Sequence, residues 1–133
     1  MRVLLDSNVW LAILTTDGQC RRMWRKMCDA SQVFASADIL GEIEEKLRLK
    51  FGFNPRHAHL LAAFVRRQTT SVMVKGSPPK VCRDSDDDHI LAAAVNAGCA
   101  YLVTGDKDLL ALKEIADTSI VTPREFAELV SAI

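Results

Sequence analysis

Four acids fall within five positions in the stretch Arg83-Asp84-Ser85-Asp86-Asp87-Asp88-His89, and the apolar run Ile90-Leu91-Ala92-Ala93-Ala94-Val95 follows at once. No ordinary core element tolerates that density of charge. Crowded carboxylates repel one another, and burying them without a counter-charge is costly. The apolar run continues to Asn96 and meets Gly98, a natural left-handed residue behind a helix. The acids therefore open a helix, with Ser85-x-x-Asp88 resembling a cap and the helix running from Asp86 to Asn96. A helix N-terminus favours one or two negative charges. It does not account for four, with Asp106 and Asp108 a short way on. A hard, oxygen-seeking divalent cation such as Mg2+ or Mn2+ does.

The rest of the chain alternates short apolar runs with helical patterns. Val3-Leu4-Leu5, Gln32 to Ala35, Thr69 to Val74, Ala100 to Val103 and Ile120-Val121 read as strands. Asp6-Ser7-Asn8 ends the first strand and starts a helix carrying Val9, Trp10, Ile13 and Leu14. Asp17-Gly18 breaks it. The second helix has Cys20, Met23, Trp24, Met27 and Cys28 on one face, and Arg21, Arg22, Arg25 and Lys26 on the other. Ser36 or Asp38 caps a third, with Ile39, Leu40, Ile43 and Leu47 inward, Glu42 at the core boundary, and Glu45 and Lys46 on the wet side. Asn54-Pro55 opens a fourth, and Lys75 to Pro79 reads as a loop. Lys107 to Leu112 forms a short helix. Thr122-Pro123-Arg124-Glu125 spells a capping box with proline at the first helical position. This order implies an α/β fold, a parallel sheet covered on both sides.

At 133 residues the chain is expected to form one domain spanning 1–133. Lys plus Arg equals Asp plus Glu, 17 against 17, so no overall basic field marks a nucleic-acid binder and any such surface must be local. Cys20, Cys28, Cys82 and Cys99 form no Cys-x-x-Cys pair, which fits reduced, mostly buried thiols in a cytoplasmic protein. The opening apolar run is too short for a signal peptide or a membrane span.

Asp6, Asp88 and Asp106 lie near strand ends, with Glu42 on an intervening helix. Adjacent strands would bring them to one pocket, able to hold one or two divalent ions for an in-line phosphoryl displacement. No Gly-Lys-Ser or Gly-Lys-Thr loop exists, which excludes a P-loop nucleotidase. No Ser or Cys nucleophile is paired with a positioned His, which argues against acyl transfer. His57 and His59 lack partners at metal spacing.

The residues Asp6-Ser7-Asn8, Glu42, Arg83-Asp84-Ser85-Asp86-Asp87-Asp88 and Thr104-Gly105-Asp106-Lys107-Asp108-Leu109-Leu110, in that order, resemble the PIN-domain family. The closing Val121-Thr122-Pro123-Arg124-Glu125-Phe126 is similar to its subgroup of toxins from toxin–antitoxin pairs (VapC-like ribonucleases). The resemblance implies a three-layer α/β/α sandwich with a central, mostly parallel sheet, and an Mg2+- or Mn2+-dependent ribonuclease held in check by an antitoxin protein. Carried onto this sequence, the acidic quartet is Asp6, Glu42, Asp88 and Asp106. Asp86 and Asp87 are substitutes for Asp88, and Glu44 and Glu45 lie close to Glu42. Asp108 is an accessory acid, and Asn8 and Thr104 are polar supports. Ser7 stands where many members have Thr.

Two other functions fit parts of the pattern. A PIN-like module without catalysis would use the basic faces, including Arg66 and Arg67, to hold RNA or a protein. A phosphotransferase of the haloacid-dehalogenase type needs Asp-x-Asp after the first strand, where this chain has Asn8. An antitoxin is expected near the second and third helices, with Trp24, Met23 and Met27 as anchors only if they are exposed, the favoured reading of that stripe being core packing. Homodimers are common in the family.

Overall fold

The computed structural model describes residues 1–74 and 85–132. The Val3-Leu4-Leu5 run has no exposed surface and lies in the central strand β1 (Arg2–Leu5). Parallel neighbours flank it: β2 (Gln32–Ala35) on one side and β4 (Tyr101–Val103) on the other. β3 (Thr70–Ser71) extends the sheet beyond β2, and β6 (Thr118–Val121) extends it beyond β4. β5 (Glu114–Ile115) closes that edge antiparallel to β6. The order is therefore β3-β2-β1-β4-β6-β5. Strands buried on both faces need helices on both, and the helices make the expected three-layer α/β/α sandwich.

The helices are α1 (Ser7–Thr15), α2 (Gln19–Met27), α3 (Ala37–Leu49), α4 (Pro55–Gln68), α5 (Ser85–Asn96), α6 (Lys107–Leu112) and α7 (Pro123–Ser131). Their caps follow the sequence. Ser36, rather than Asp38, caps α3 through the Ile39 N–H at 3.2 Å. Asn54 accepts from the His57 N–H at 2.8 Å. Thr122 and Glu125 complete the capping box at 3.1 and 3.0 Å. Each such cap stabilises by about 1 kcal/mol.

The core runs through Trp10, Met23, Met27, Leu91, Leu102 and Phe126, all fully buried. Met23 and Met27 thus face inward, while Trp24 is half-buried with its ring 5.0 Å from that of Trp10. Cys28 is exposed, contrary to the expectation for that face, and Cys99 is buried. Arg21 is not a free cation either. Its Nε donates to the Ile13 carbonyl at 2.9 Å and ties down the end of α1.

Two strands differ from expectation. The third shrinks to Thr70–Ser71 because its partner β2 ends at Ala35, where Ser36 turns into α3. Val72 keeps one bond to the Ala35 carbonyl at 3.1 Å, and Met73 is left exposed. The last strand is longer than Ile120-Val121 and forms a hairpin with β5. α5 starts one residue earlier, at Ser85. The Lys75-to-Pro79 loop, Cys82, Arg83 and Asp84 lie outside the described residues. Among the described residues no helix is long and apolar enough to cross a membrane.

Candidate acidic site at the strand carboxyl ends

β1 leads to β2 on one side, and the chain later returns on the other side as β4. The carboxyl ends of β1 and β4 therefore flank a topological switch point, where open α/β sheets bind ligands. Leu5 pairs with Val103, so the next residues, Asp6 and Thr104, emerge together. The Asp6 N–H donates to the Val103 carbonyl at 3.0 Å.

Thr104 organises the junction. Its hydroxyl, fully buried, donates to Asp6 Oδ2 at 2.7 Å and accepts from the Asp106 N–H at 3.0 Å. Ser7 Oγ donates to Asp6 Oδ1 at 3.3 Å. Asp106 Oδ1 in turn caps α6, accepting from the N–H groups of Asp108 and Leu109 at 2.8 and 3.1 Å. Asp87, Asp106 and Asp108 each bring a carboxylate oxygen to within 4.8 Å of the others.

Asp6 is 3% exposed. Burial pushes its carboxyl above the usual range, and the charge of Glu42 pushes the same way. The bonds from Thr104 and Ser7 oppose them. The Glu42 effect identifies it as the α3 acid that faces Asp6. Glu44 instead pairs with His59 Nδ1 at 3.0 Å, and Glu45 is exposed. Glu42 Oε1 lies 2.8 Å from Lys46 Nζ, which also donates to Asn8 Oδ1 at 3.2 Å. Lys46 thus joins the site rather than solvent alone. Asn8 meets the acids through Lys46.

Among the described residues, Asp87 of α5 gathers with Asp106 and Asp108; Asp88 beside it is also buried, at 4%. Consecutive helical positions face about 100° apart, so the two cannot share one direction. Sequence reasoning named Asp87 only as a substitute and missed Ser7 and Lys46 as partners. The i,i+4 spacing of Glu42 and Lys46 was the available signal for Lys46. All the donors are carboxylate oxygens, one is buried against its own charge, and three converge. That set fits a hard divalent cation, with Asp87, Asp106 and Asp108 as its holders and Asp6 linked to the Asp106 backbone through Thr104.

Fold and site together define an α/β/α protein with an acidic centre at the switch point. The PIN domain profile matches residues 2–108, and the chain belongs to the PIN-domain family, whose members are generally nucleases. It is 29% identical, over 144 aligned positions, to an uncharacterized protein of Methanocaldococcus jannaschii, covering 96% of this chain and 90% of that one. The fold is also similar to that of a chain in the crystal structure of VapBC2 from Rickettsia felis bound to a DNA fragment from their promoter. The TM-score is 0.69 at 10% identity, over 92% of this chain and 98% of that one.

Proposed function

We propose that this chain is a divalent-metal-dependent endoribonuclease, acting as the toxin of a type II toxin–antitoxin pair, in a single cytoplasmic domain. The observation that carries the reading is the gathering of Asp87, Asp106 and Asp108, beside Asp6 and Glu42, at the switch point of a PIN fold. Asp6, Glu42, Asp88 and Asp106 remain the proposed catalytic quartet, with Asp86 and Asp108 as accessory acids. Asp87 joins them as an α5 acid gathered with Asp106 and Asp108. Mg2+ or Mn2+ bound there would acidify a water and draw charge from the phosphodiester oxygens. Thr104 sets Asp6 Oδ2 and the Asp106 backbone in advance, so the carboxylates need little reorganisation.

The antitoxin reading draws on the likeness to a VapBC2 chain and on a groove lined by Ile13, Leu14, Arg21, Trp24, Arg25, Leu61 and Phe64. This groove lies between α1, α2 and α4, not beside α3, and Met23 and Met27 are too buried to anchor anything. Its apolar floor and Arg25 suit an amphipathic helix carrying acids. A homodimer is part of the same proposal.

The test is cleavage of a mixed-sequence single-stranded RNA in Mg2+, in Mn2+ and in EDTA, beside Asp6→Asn. Metal-dependent cleavage lost in the variant supports the nuclease. RNA binding without cleavage in either metal would replace it with a binding module.

A further inference from the structure

Lys46 links two helices that the acids alone do not connect. Its Nζ bonds Glu42 on α3 at 2.8 Å and Asn8 on α1 at 3.2 Å. An i,i+4 pair on a helix surface is ordinary and adds little stability. The reach across to Asn8 is not part of that pattern. It draws the ammonium toward the start of α1, two residues from Asp6.

An ammonium carries three donors. Glu42 and Asn8 take two among the described residues, and the Lys46 side chain is 33% exposed. Lys46 also lines a cleft between α3 and α5 with Asp38, Glu42, His89 and Ile90. Any polyanion entering the site meets the charges of Asp6, Glu42, Asp87, Asp106 and Asp108. A divalent ion would answer the carboxylates, but the approaching phosphate still needs a cation at the rim. Lys46 is held there at a fixed place, with two bonds to limit the entropy cost of using it.

We propose that Lys46 is a phosphate-contacting residue of this site, anchored by Glu42 and Asn8 and donating its remaining N–H to a phosphate oxygen of single-stranded RNA. The proposal rests on the ribonuclease reading for the identity of the polyanion.

The experiment compares wild type, Lys46→Met and Lys46→Arg. A labelled single-stranded RNA is titrated in Ca2+ over a series of salt concentrations, and Mn2+ binding to each protein alone is followed by calorimetry. Loss of a charged hydrogen bond should weaken RNA binding by Lys46→Met about tenfold. The slope of log affinity against log salt should fall by about 0.7, the value for one phosphate contact on a single strand. Lys46→Arg should restore most of both, and Mn2+ binding should persist in all three. An unchanged slope in Lys46→Met overturns the proposal. So does joint loss of Mn2+ and RNA binding, which would make Lys46 only a prop for Glu42.

Cleavage assays separate the two readings. If RNA binding depends on Lys46 but neither Mg2+ nor Mn2+ supports cleavage, the ribonuclease reading fails and the contact stands. If wild type cleaves and Lys46→Met keeps its KM, the contact fails and the ribonuclease stands. No RNA binding by wild type overturns both.

Discussion

Thr104 Oγ1 lies 2.7 Å from Asp6 Oδ2, joining residues 98 positions apart. The bond crosses the two central strands at their carboxyl ends, and the same hydroxyl accepts from the Asp106 N–H. One buried oxygen thus sets both the acid after β1 and the turn after β4.

Thr104→Val keeps the shape and removes that oxygen. The Asp106 N–H and Asp6 Oδ2 each lose a partner, and leaving a buried polar group unsatisfied costs about 1–3 kcal/mol. The urea midpoint should fall accordingly, with RNA cleavage lowered as well, while Thr104→Ser keeps most of both. A Thr104→Val midpoint equal to wild type would show that the bond is not holding the junction.

Asp6→Asn should raise the melting temperature of the metal-free protein at pH 7. Burial and Glu42 raise the folded-state carboxyl above its unfolded value of about 3.9. A raised acid favours folding when protonated. Its contribution is complete below the unfolded pKa and is lost as pH rises through the folded one. Toward higher pH burial and the Glu42 charge therefore work against folding at Asp6, and asparagine relieves both. Melts in EDTA should show the variant's advantage at pH 7 shrinking toward pH 4. Mn2+ should then stabilise wild type more than the variant, because only ligand bound to the folded state shifts the melt. An advantage that is the same at both pH values would refute the assignment to Asp6 ionisation.

Much of this site could be read in the sequence because acids after strands are a local signal. Leu5-Asp6 and Val103-Thr104-Gly105-Asp106 each announce a strand end with a carboxylate beyond it, and the parallel order brings them together. Which α5 acid meets Asp106 was not legible. Asp87 and Asp88 differ by one helical step, and only the rotation of α5 over the sheet separates them. Arg21 was equally hidden, since a cation on a basic face looks solvated until the end of α1 is seen beneath it. The β5–β6 hairpin escaped for another reason: its loop holds Ala116-Asp117 and not a glycine turn.

The three described cysteines should separate by thiol labelling. In a Cys82→Ser background, an alkylating reagent should modify exposed Cys28 first and Cys20 more slowly, because burial raises the Cys20 thiol. Cys99 is 2% exposed and pushed up to about 11 by burial, so little thiolate is present at neutral pH. It should react only as the protein unfolds. Mass spectrometry over a urea series checks the order, and early labelling of Cys99 in the native protein would contradict its burial.

Ala116→Asn should stabilise the fold through the hairpin. Ala116 holds φ at 50°, a left-handed value that an alanine Cβ disfavours. That strain is about 1–2 kcal/mol, and asparagine relieves part of it without the extra unfolded-state freedom that glycine brings. The loop joins Ile115 to Thr118, and Thr118 Oγ1 donates to the Cys99 carbonyl at 2.7 Å, so the turn fixes how β6 enters the sheet beside β4. Relief at Ala116 should therefore appear as a global gain of about 0.5–1 kcal/mol in the unfolding free energy. Cleavage should not change, because the loop sits at the opposite end of β6 from the acids. A gain in local hydrogen-exchange protection with no shift in the urea midpoint would show instead that the hairpin frays independently of the sheet it edges.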